Sequence, residues 1–198
     1  MERQVFTIGH SNHSWETFLG LLKQHGIQVL VDVRSQPYSR YTPHFNHREL
    51  KAALAREGVG YLFLGLELGG RPEGGEYLAE DGKTLYGRMA ESPLFLEGIS
   101  RLERGIGQYR VALMCGEENP RECHRRLLVG RVLTERGIGV VHIRGDGRLQ
   151  TESELTEEEN AKSREQPRLP LFDVPEAKPW TSTQSVSPKG RRSRSSEP

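Results

Sequence analysis

Short apolar segments alternate with amphipathic segments over the first 150 residues. Aliphatic, aromatic and β-branched residues dominate five runs of strand length, at residues 4–9, 28–34, 59–65, 109–115 and 139–145. The run QVLVDVR is mostly apolar without strict alternation, which is typical of a strand buried on both faces of a parallel sheet. The pattern therefore predicts five strands.

The segments between these runs carry apolar residues at helical spacing and begin with capping residues. The predicted helices are residues 15–26, 46–58, 92–105 and 119–137. Asn46, Ser92 and Asn119 are the predicted N-caps, and proline follows the last two at the first helical position. A glutamate three residues after Asn46 and after Asn119 completes a capping box at each of these two sites.

Strands separated by helices imply right-handed crossovers and a sheet with helices packed on its faces. The predicted fold class is therefore α/β, a single compact domain over residues 1–150 with a mostly parallel sheet flanked by helices. The length of 198 residues agrees with one domain of ordinary size.

The composition changes after Gln150. Residues 151–165 are rich in glutamate and predict an acidic linker or a short helix, while residues 166–198 are rich in Pro, Ser, Lys and Arg. Such a segment buries too little apolar surface to offset its ordering entropy, so a disordered basic tail is predicted. The alternative is that the apolar residues of LPLFDVPEAKPW, which include Phe172 and Trp180, dock on the domain or on a partner.

Charge, cysteine content and hydropathy argue against several classes of protein. The formal net charge is +1, so any basic patch that attracts nucleic acid must be local. Two cysteines make no disulfide framework. The start MERQVFTIGHS has no apolar signal core, and no stretch approaches the roughly 20 apolar residues of a membrane helix. We therefore expect a cytoplasmic protein without membrane contact, and no motif requires a cofactor.

Polar and charged residues follow the predicted strands rather than precede them. The stretches GHSN, DVRSQPYSR, GLELGGRP and CGEENPRECHR come after the first four strands. Because ligands bind in the crevice beyond the carboxyl ends of parallel strands, these loops predict one shared site. The competing interpretation is that they are ordinary polar loops.

Several of these residues are cationic and suit an anion. The candidate ligand-binding residues are Ser11, Arg34, Arg40, Arg71, His124 and Arg125. Guanidinium groups bind phosphate or carboxylate through a planar fork, and the helix predicted to begin after Asn119 adds backbone N–H donors. We predict a small anionic or phosphate-bearing ligand, such as a nucleotide or a nucleic-acid end. Alternatively, Arg34 and Arg71 pair internally with Asp32, Glu67 or Glu117.

Thiol catalysis is a further possibility. The candidate catalytic residues are His10, Asp32, Cys115 and Glu117, with Cys115 as nucleophile and His10 as proton carrier. Cys115 and Arg121 have the Cys-five-Arg spacing of protein tyrosine phosphatases, and DVR followed by a strand-ending cysteine is similar to rhodaneses. The carboxylates of Glu117 and Glu118 argue against both, because those families surround an anion with backbone amides of small residues.

Two other roles remain for the cysteines. Cys115, Cys123 and His124, with His10 or His142, offer soft ligands for zinc. However, the spacing matches no short zinc pattern, and adjacent residues of a helix point in different directions, so no metal is predicted. The structural alternative is that Cys123 simply packs beneath the helix.

Together, the motifs TIGHS, DVRSQPYSR, LGLELGGR and CGEENPRECHR resemble the bacterial and archaeal family labelled domain of unknown function 488. The resemblance extends from residue 5 to about residue 146 and leaves the tail outside. It implies a compact α/β domain and assigns no catalytic role. The positions it marks as candidates are His10, Asp32, Arg34, Arg40, Arg71, Cys115, Glu117, Cys123, His124 and Arg125.

These observations leave several functional hypotheses open. The first is a site for a small anionic ligand, with or without thiol chemistry of a rhodanese-like or phosphatase-like kind. The second is a non-catalytic module that binds a nucleotide or nucleic acid, aided by salt-sensitive phosphate contacts of the basic tail residues Lys189, Arg191, Arg192 and Arg194. A protein-interaction domain without a ligand site is the third.

Overall fold

Six strands form the central sheet of the computed structural model, which describes residues 3–165 and 179–186. They are β1 (Gln4–Gly9), β2 (Val29–Asp32), β3 (Gly60–Phe63), β5 (Val111–Cys115), β6 (Gly139–Ile143) and β7 (Leu149–Thr151), while β4 (Lys83–Leu85) and β8 (Thr181–Ser185) form a separate pair. The sheet has the order β3-β2-β5-β1-β6-β7. The first five of these run parallel and β7 is antiparallel to β6. The predicted α/β class and mostly parallel sheet are confirmed.

Helices cover both faces of this sheet. They are α1 (Trp15–Gln24), α2 (His47–Arg56), α3 (Gly65–Leu68), α4 (Tyr86–Ala90), α5 (Pro93–Ile106), α6 (Arg131–Glu135) and α7 (Glu152–Glu165). Alternate residues of β5 enter different cores, because side chains of a strand point to opposite faces. Leu113 and Cys115 join the core beneath α5, whereas Met114 joins the core beneath α1 and α2.

One of the predicted N-caps, Ser92, caps its helix, and another, Asn46, does not. Ser92 caps α5 as predicted, since its Oγ accepts the backbone N–H of Phe95 at 3.3 Å. Asn46 precedes α2, but its side chain accepts the N–H of Ser39 at 2.7 Å and makes no capping bond. The amide of Asn46 therefore fixes the loop after β2, and the expected capping box is absent.

The helix predicted over residues 119–137 is interrupted. Asn119 caps a 3₁₀ turn, Pro120–Glu122, and accepts the N–H of Arg121 at 3.2 Å. Cys123 is extended, with φ −108° and ψ 136°. The chain becomes helical again at His124, is π-helical over Arg125–Gly130 and continues as α6. Cys123 thus lies in a break before the helix and not in its first turn.

The chain beyond Gln150 adds two elements. Where the sequence predicted an acidic linker or short helix, α7 forms, and Glu152 and Glu159 bind Arg126. Thr181–Ser185 forms β8, which pairs antiparallel with β4.

Trp180 holds the start of β8 against the domain. Its Nε1–H donates to the carbonyl oxygen of Leu127 at 2.8 Å, and the Arg131 guanidinium lies 4.1 Å from the ring centroid. The sequence predicted a disordered tail here, with docking of Trp180 on the domain as the alternative, and at Trp180 the structure shows the docking. The rest of that prediction, including Phe172, lies outside the described residues. No helix in the described ranges has the length and apolar character needed to span a membrane.

Candidate functional site

A cleft of about 320 Å³ opens at the carboxyl ends of β1, β2 and β5. Six of the ten predicted site residues line it: His10, Arg34, Arg71, Cys115, Glu117 and His124. The other four, Ser11, Asp32, Arg40 and Arg125, are not among its lining residues. The strand ends therefore do bring distant polar segments to one cleft, but not every candidate takes part in it.

Asp32 positions Arg34 from below the cleft. The carboxylate is fully buried and accepts hydrogen bonds from Nε of Arg34 at 2.9 Å and from Nη2 at 2.7 Å. The hydroxyl of Tyr61 donates to the same carboxylate at 2.8 Å, and Arg34 also donates to the carbonyl oxygen of Phe45 at 2.7 Å. Arg34 thus pairs internally with Asp32, which was the alternative to ligand binding.

His10 is neutral at pH 7 and makes defined hydrogen bonds. Its Nδ1 lies 2.9 Å from the carbonyl oxygen of Ser11, which can only accept, so Nδ1 carries the hydrogen. Nε2 then accepts from Nη1 of Arg34 at 3.1 Å. Burial and the charge of Arg34 lower the pKa of His10 to about 4. This environment does not suit the role of proton carrier that the sequence suggested, and instead makes His10 a support for Arg34.

Arg125, a predicted ligand-binding residue, holds a loop and is not among the residues that line the cleft. Its side chain is fully buried and donates to the carbonyl oxygens of Glu117 and Glu118, and to Oγ1 of Thr7 at 3.3 Å. A Cβ on Gly9 would lie 2.0 Å from the carbonyl oxygen of Glu117, so the loop can pack here only against a glycine.

Two other arginines also point away from the cleft. Arg40 is exposed and donates to the hydroxyl of Tyr41, and its guanidinium lies 4.7 Å from that ring's centroid. Arg121, at the phosphatase-like spacing from Cys115, pairs with Glu158 of α7. The loop after β5 also directs the carbonyl oxygens of Glu117 and Glu118 at Arg125. Both observations remove support from a phosphatase-like or rhodanese-like site.

Arg71 is the arginine that stays open. Its side chain is exposed at the cleft and forms no hydrogen bond or ion pair with any residue in the described ranges, while its backbone N–H donates to Oγ of Ser35 at 3.0 Å. Glu117 and Glu122 line the same cleft. The cleft therefore offers one unpaired guanidinium together with carboxylate acceptors.

The two cysteines and His124 form a cluster at the base of the cleft. Nδ1 of His124 lies 3.6 Å from Sγ of Cys115 and 3.9 Å from Sγ of Cys123. Its Nε2 lies 2.8 Å from the carbonyl oxygen of Val33, so Nε2 carries the hydrogen and donates. A Cβ on Gly70 would lie 2.7 Å from Cγ of His124, so the backbone at Gly70 fixes one side of the ring.

The two thiols differ in acidity. A hydrogen bond to Cys123 and burial raise the pKa of Cys115 well above its usual range. Burial opposes ionisation of Cys123, but the hydrogen bond from Cys115 and the positive charge of Arg125 hold its pKa well below the usual range. Cys123, which the sequence suggested to be only a packing residue, is therefore the thiol that ionises more readily.

Several cleft residues had no clear signal in the sequence. Ser182, Thr183 and Gln184 reach the cleft from β8, a polar segment inside the predicted tail. Ser35 and Ser39, which belong to the DVRSQPYSR stretch, are not among the predicted site residues but line the cleft. For these two, their place directly after a predicted strand was the available signal.

Comparison with known proteins agrees with the motifs. A family model described as domain of unknown function DUF488 matches residues 14–132. The match includes the loop after β2, the segment around Gly70 and the Cys123–His124 pair, and leaves out β1 and β6. No curated protein and no solved structure matches the chain. Because the matched segment is more than half of the sequence, the chain belongs to the DUF488 family of domains of unknown function.

Proposed function

We propose that the cleft binds a small ligand that carries an anionic group, with a nucleotide or the phosphate-bearing end of a nucleic acid as the ligand class. The observation that carries this proposal is the open guanidinium of Arg71. A guanidinium binds phosphate and carboxylate oxygens through two parallel N–H donors. In the described part of the chain no carboxylate occupies these donors of Arg71.

Two hydroxyl groups add donors beside Arg71. Oγ of Ser35 accepts the N–H of Arg71, and Oγ of Ser39 accepts the N–H groups of Tyr41 at 3.1 Å and Thr42 at 3.3 Å. Since these lone pairs are used and neither O–H donates to a described residue, both hydroxyl hydrogens are free for a ligand oxygen. The cleft therefore supplies neutral donors as well as a cation.

The carboxylates and one aromatic ring favour a nucleotide over a bare phosphate. Glu117 and Glu122 line the cleft and would repel a free anion, but they accept hydrogen bonds from ribose hydroxyls or a base amino group. Tyr38 also lines the cleft and is 75% exposed. Its ring offers a face on which a base can stack.

The variant Arg71→Gln tests this proposal, and Arg48→Gln, an exposed arginine of α2 outside the cleft, is the matched control. The full chain is titrated calorimetrically with nucleoside 5′-monophosphates and with pyrophosphate. Loss of a charged hydrogen-bond donor costs about 1.5–3 kcal/mol, so we expect an increase in Kd of roughly ten- to hundredfold for Arg71→Gln. An equal Kd for both variants would contradict the proposal.

The basic tail adds a separate hypothesis. Lys189, Arg191, Arg192 and Arg194 lie outside the described residues, so their contribution to nucleic-acid binding stays a prediction. It differs from the cleft proposal in its salt dependence, because tail contacts to several phosphates weaken steeply as salt increases.

A further inference from the structure

We propose that Cys115, Cys123 and His124 form a zinc-binding site at the base of the cleft. One ligand atom from each residue lies within 4.8 Å of the other two. Thiolate sulfur and imidazole nitrogen are the ligands that zinc prefers, and they do not suit magnesium or calcium. Both cysteines are free, so neither sulfur is committed to a disulfide.

The distances fit an ion. Zinc–sulfur bonds of about 2.3 Å and zinc–nitrogen bonds of about 2.0–2.1 Å, at a tetrahedral angle, place sulfur and nitrogen about 3.6 Å apart. Nδ1 of His124 lies 3.6 Å from Sγ of Cys115 and 3.9 Å from Sγ of Cys123. Both nitrogen–sulfur distances therefore match a shared zinc ion to within a few tenths of an ångström.

The tautomer of His124 is already the one that a metal ligand needs. The bond from Nε2–H to the carbonyl oxygen of Val33 places a hydrogen on Nε2, so the neutral ring has its lone pair on Nδ1, the nitrogen nearest the two sulfurs. Histidine ligands in metalloproteins usually donate their second N–H to a carbonyl or carboxylate in this way, which orients the ring.

The break in the helix explains why the sequence argued against a metal. Neighbouring residues of a regular helix diverge, so adjacent Cys123 and His124 were expected to point apart. In the structure Cys123 is extended, between the 3₁₀ turn that ends at Glu122 and the helix that begins at His124. This extended residue turns the sulfur and the imidazole toward Cys115.

The charges also balance. Zinc carries two positive charges, and the two sulfurs coordinate as thiolates, so the bound site is neutral. Each thiol that is protonated in the metal-free protein releases its proton to solvent on binding. With three protein ligands, the fourth position lies open, as in zinc sites that bind water or a ligand oxygen. All three residues line the cleft, which provides that space.

The test uses the full chain, purified in reductant without chelator or histidine tag. Elemental analysis is expected to find zinc at one ion per chain. After zinc is removed by chelation and the chelator is dialysed away, titration with Co²⁺ is expected to produce thiolate-to-cobalt charge-transfer absorption and the visible bands of four-coordinate cobalt. This readout needs no variant, and it needs no anionic ligand, so it is independent of the function proposed above.

Variants identify the ligands. Outer-shell changes reduce metal affinity by about 10–100-fold, so loss of a direct ligand in Cys123→Ser is expected to reduce Co²⁺ affinity at least a hundredfold. His25→Gln, which changes a histidine outside the cluster, is expected to leave it unchanged. Circular dichroism shows whether each variant is folded. The proposal is overturned if the reduced, folded protein binds neither ion, if cobalt binds without thiolate absorption, or if Cys115 and Cys123 form a disulfide under reductant.

Discussion

The Asp32–Arg34 pair is the most buried ion pair in the described part of the chain, and Asp32→Asn tests its importance. Asparagine keeps the size of the side chain but removes the charge. It also replaces one acceptor oxygen by an amide donor. Oδ1 accepts from Nε and the backbone N–H of Arg34, and Oδ2 accepts from Nη2 of Arg34 and the hydroxyl of Tyr61. Arg34 therefore loses an acceptor whichever oxygen the amide replaces.

Removing one partner of a buried ion pair typically costs about 3–5 kcal/mol, because the other charge stays buried and uncompensated. Arg34 keeps its hydrogen bonds to the carbonyl oxygen of Phe45 and to Nε2 of His10, and its side chain is 8% exposed at the cleft. We therefore expect the lower end of that range, about 3 kcal/mol. This is a large part of the roughly 5–15 kcal/mol that stabilises a folded domain.

The chain contains a matched control with the same spacing. Asp146 pairs with Arg148 at 3.3 Å and also accepts its backbone N–H, as Asp32 does for Arg34. The side chains of this second pair are 65% and 56% exposed. Because exposed ion pairs contribute about 0–1 kcal/mol, Asp146→Asn is expected to change little.

Urea unfolding, followed by tryptophan fluorescence, gives the free energy of unfolding for both variants. A cost for Asp32→Asn within 1 kcal/mol of the control would refute the reasoning, since burial is the main difference between the two pairs. Arg34→Met, combined with Asp32→Asn, is expected to regain part of the loss because it removes the uncompensated charge.

Two further predictions concern α7 and the cysteine cluster. Burial opposes ionisation of Glu152, but hydrogen bonds with His142 and Arg126 hold its pKa below the usual range. Its carboxylate therefore stabilises the fold above the unfolded pKa of about 4.3, and this contribution is lost as pH falls through the lower folded value. Glu152→Gln is expected to cost about 1–2 kcal/mol of unfolding free energy at pH 7. Urea unfolding at several pH values is expected to show a smaller loss of stability below about pH 4.3 in the variant. The same dependence of the unfolding free energy on pH in both proteins would contradict this. Gly70→Ala is expected to displace the His124 ring and weaken Co²⁺ binding about tenfold by absorbance titration. Gly105→Ala, with nothing within 4 Å of its new Cβ, is expected to leave Co²⁺ binding unchanged, and equal affinities of the two variants would refute the steric argument.

Local sequence determined much of the fold. The apolar runs located β1 and β5, and the Ser-Pro start located α5, because apolar composition and capping residues are local properties of the chain. β8 carries no such signal. Its sequence TSTQS is polar, and it is positioned through β4 and the docking of Trp180.

The site was predictable at the level of the sheet edge and not at the level of individual side chains. Arg34, Arg71 and Arg125 look equivalent in the sequence. In the structure Arg34 binds a buried carboxylate, Arg125 binds backbone carbonyl oxygens, and Arg71 stays open at the cleft. These partners lie in the folded chain, so spacing alone does not identify them. The break at Cys123 likewise has no signal in the neighbouring residues, because the cap and proline before it predict a continuous helix.

The location of ligand binding tests the account most directly. In ¹H–¹⁵N correlation spectra of the full chain, titration with a nucleoside 5′-monophosphate is expected to shift the amide signals of Ser35, Arg71 and Gly116 at the cleft. The signals of Gly58 and Gly137, which precede β3 and β6 at the opposite edge, are expected to stay in place. Shifts confined to the opposite edge, or none at millimolar ligand, would contradict the proposed site.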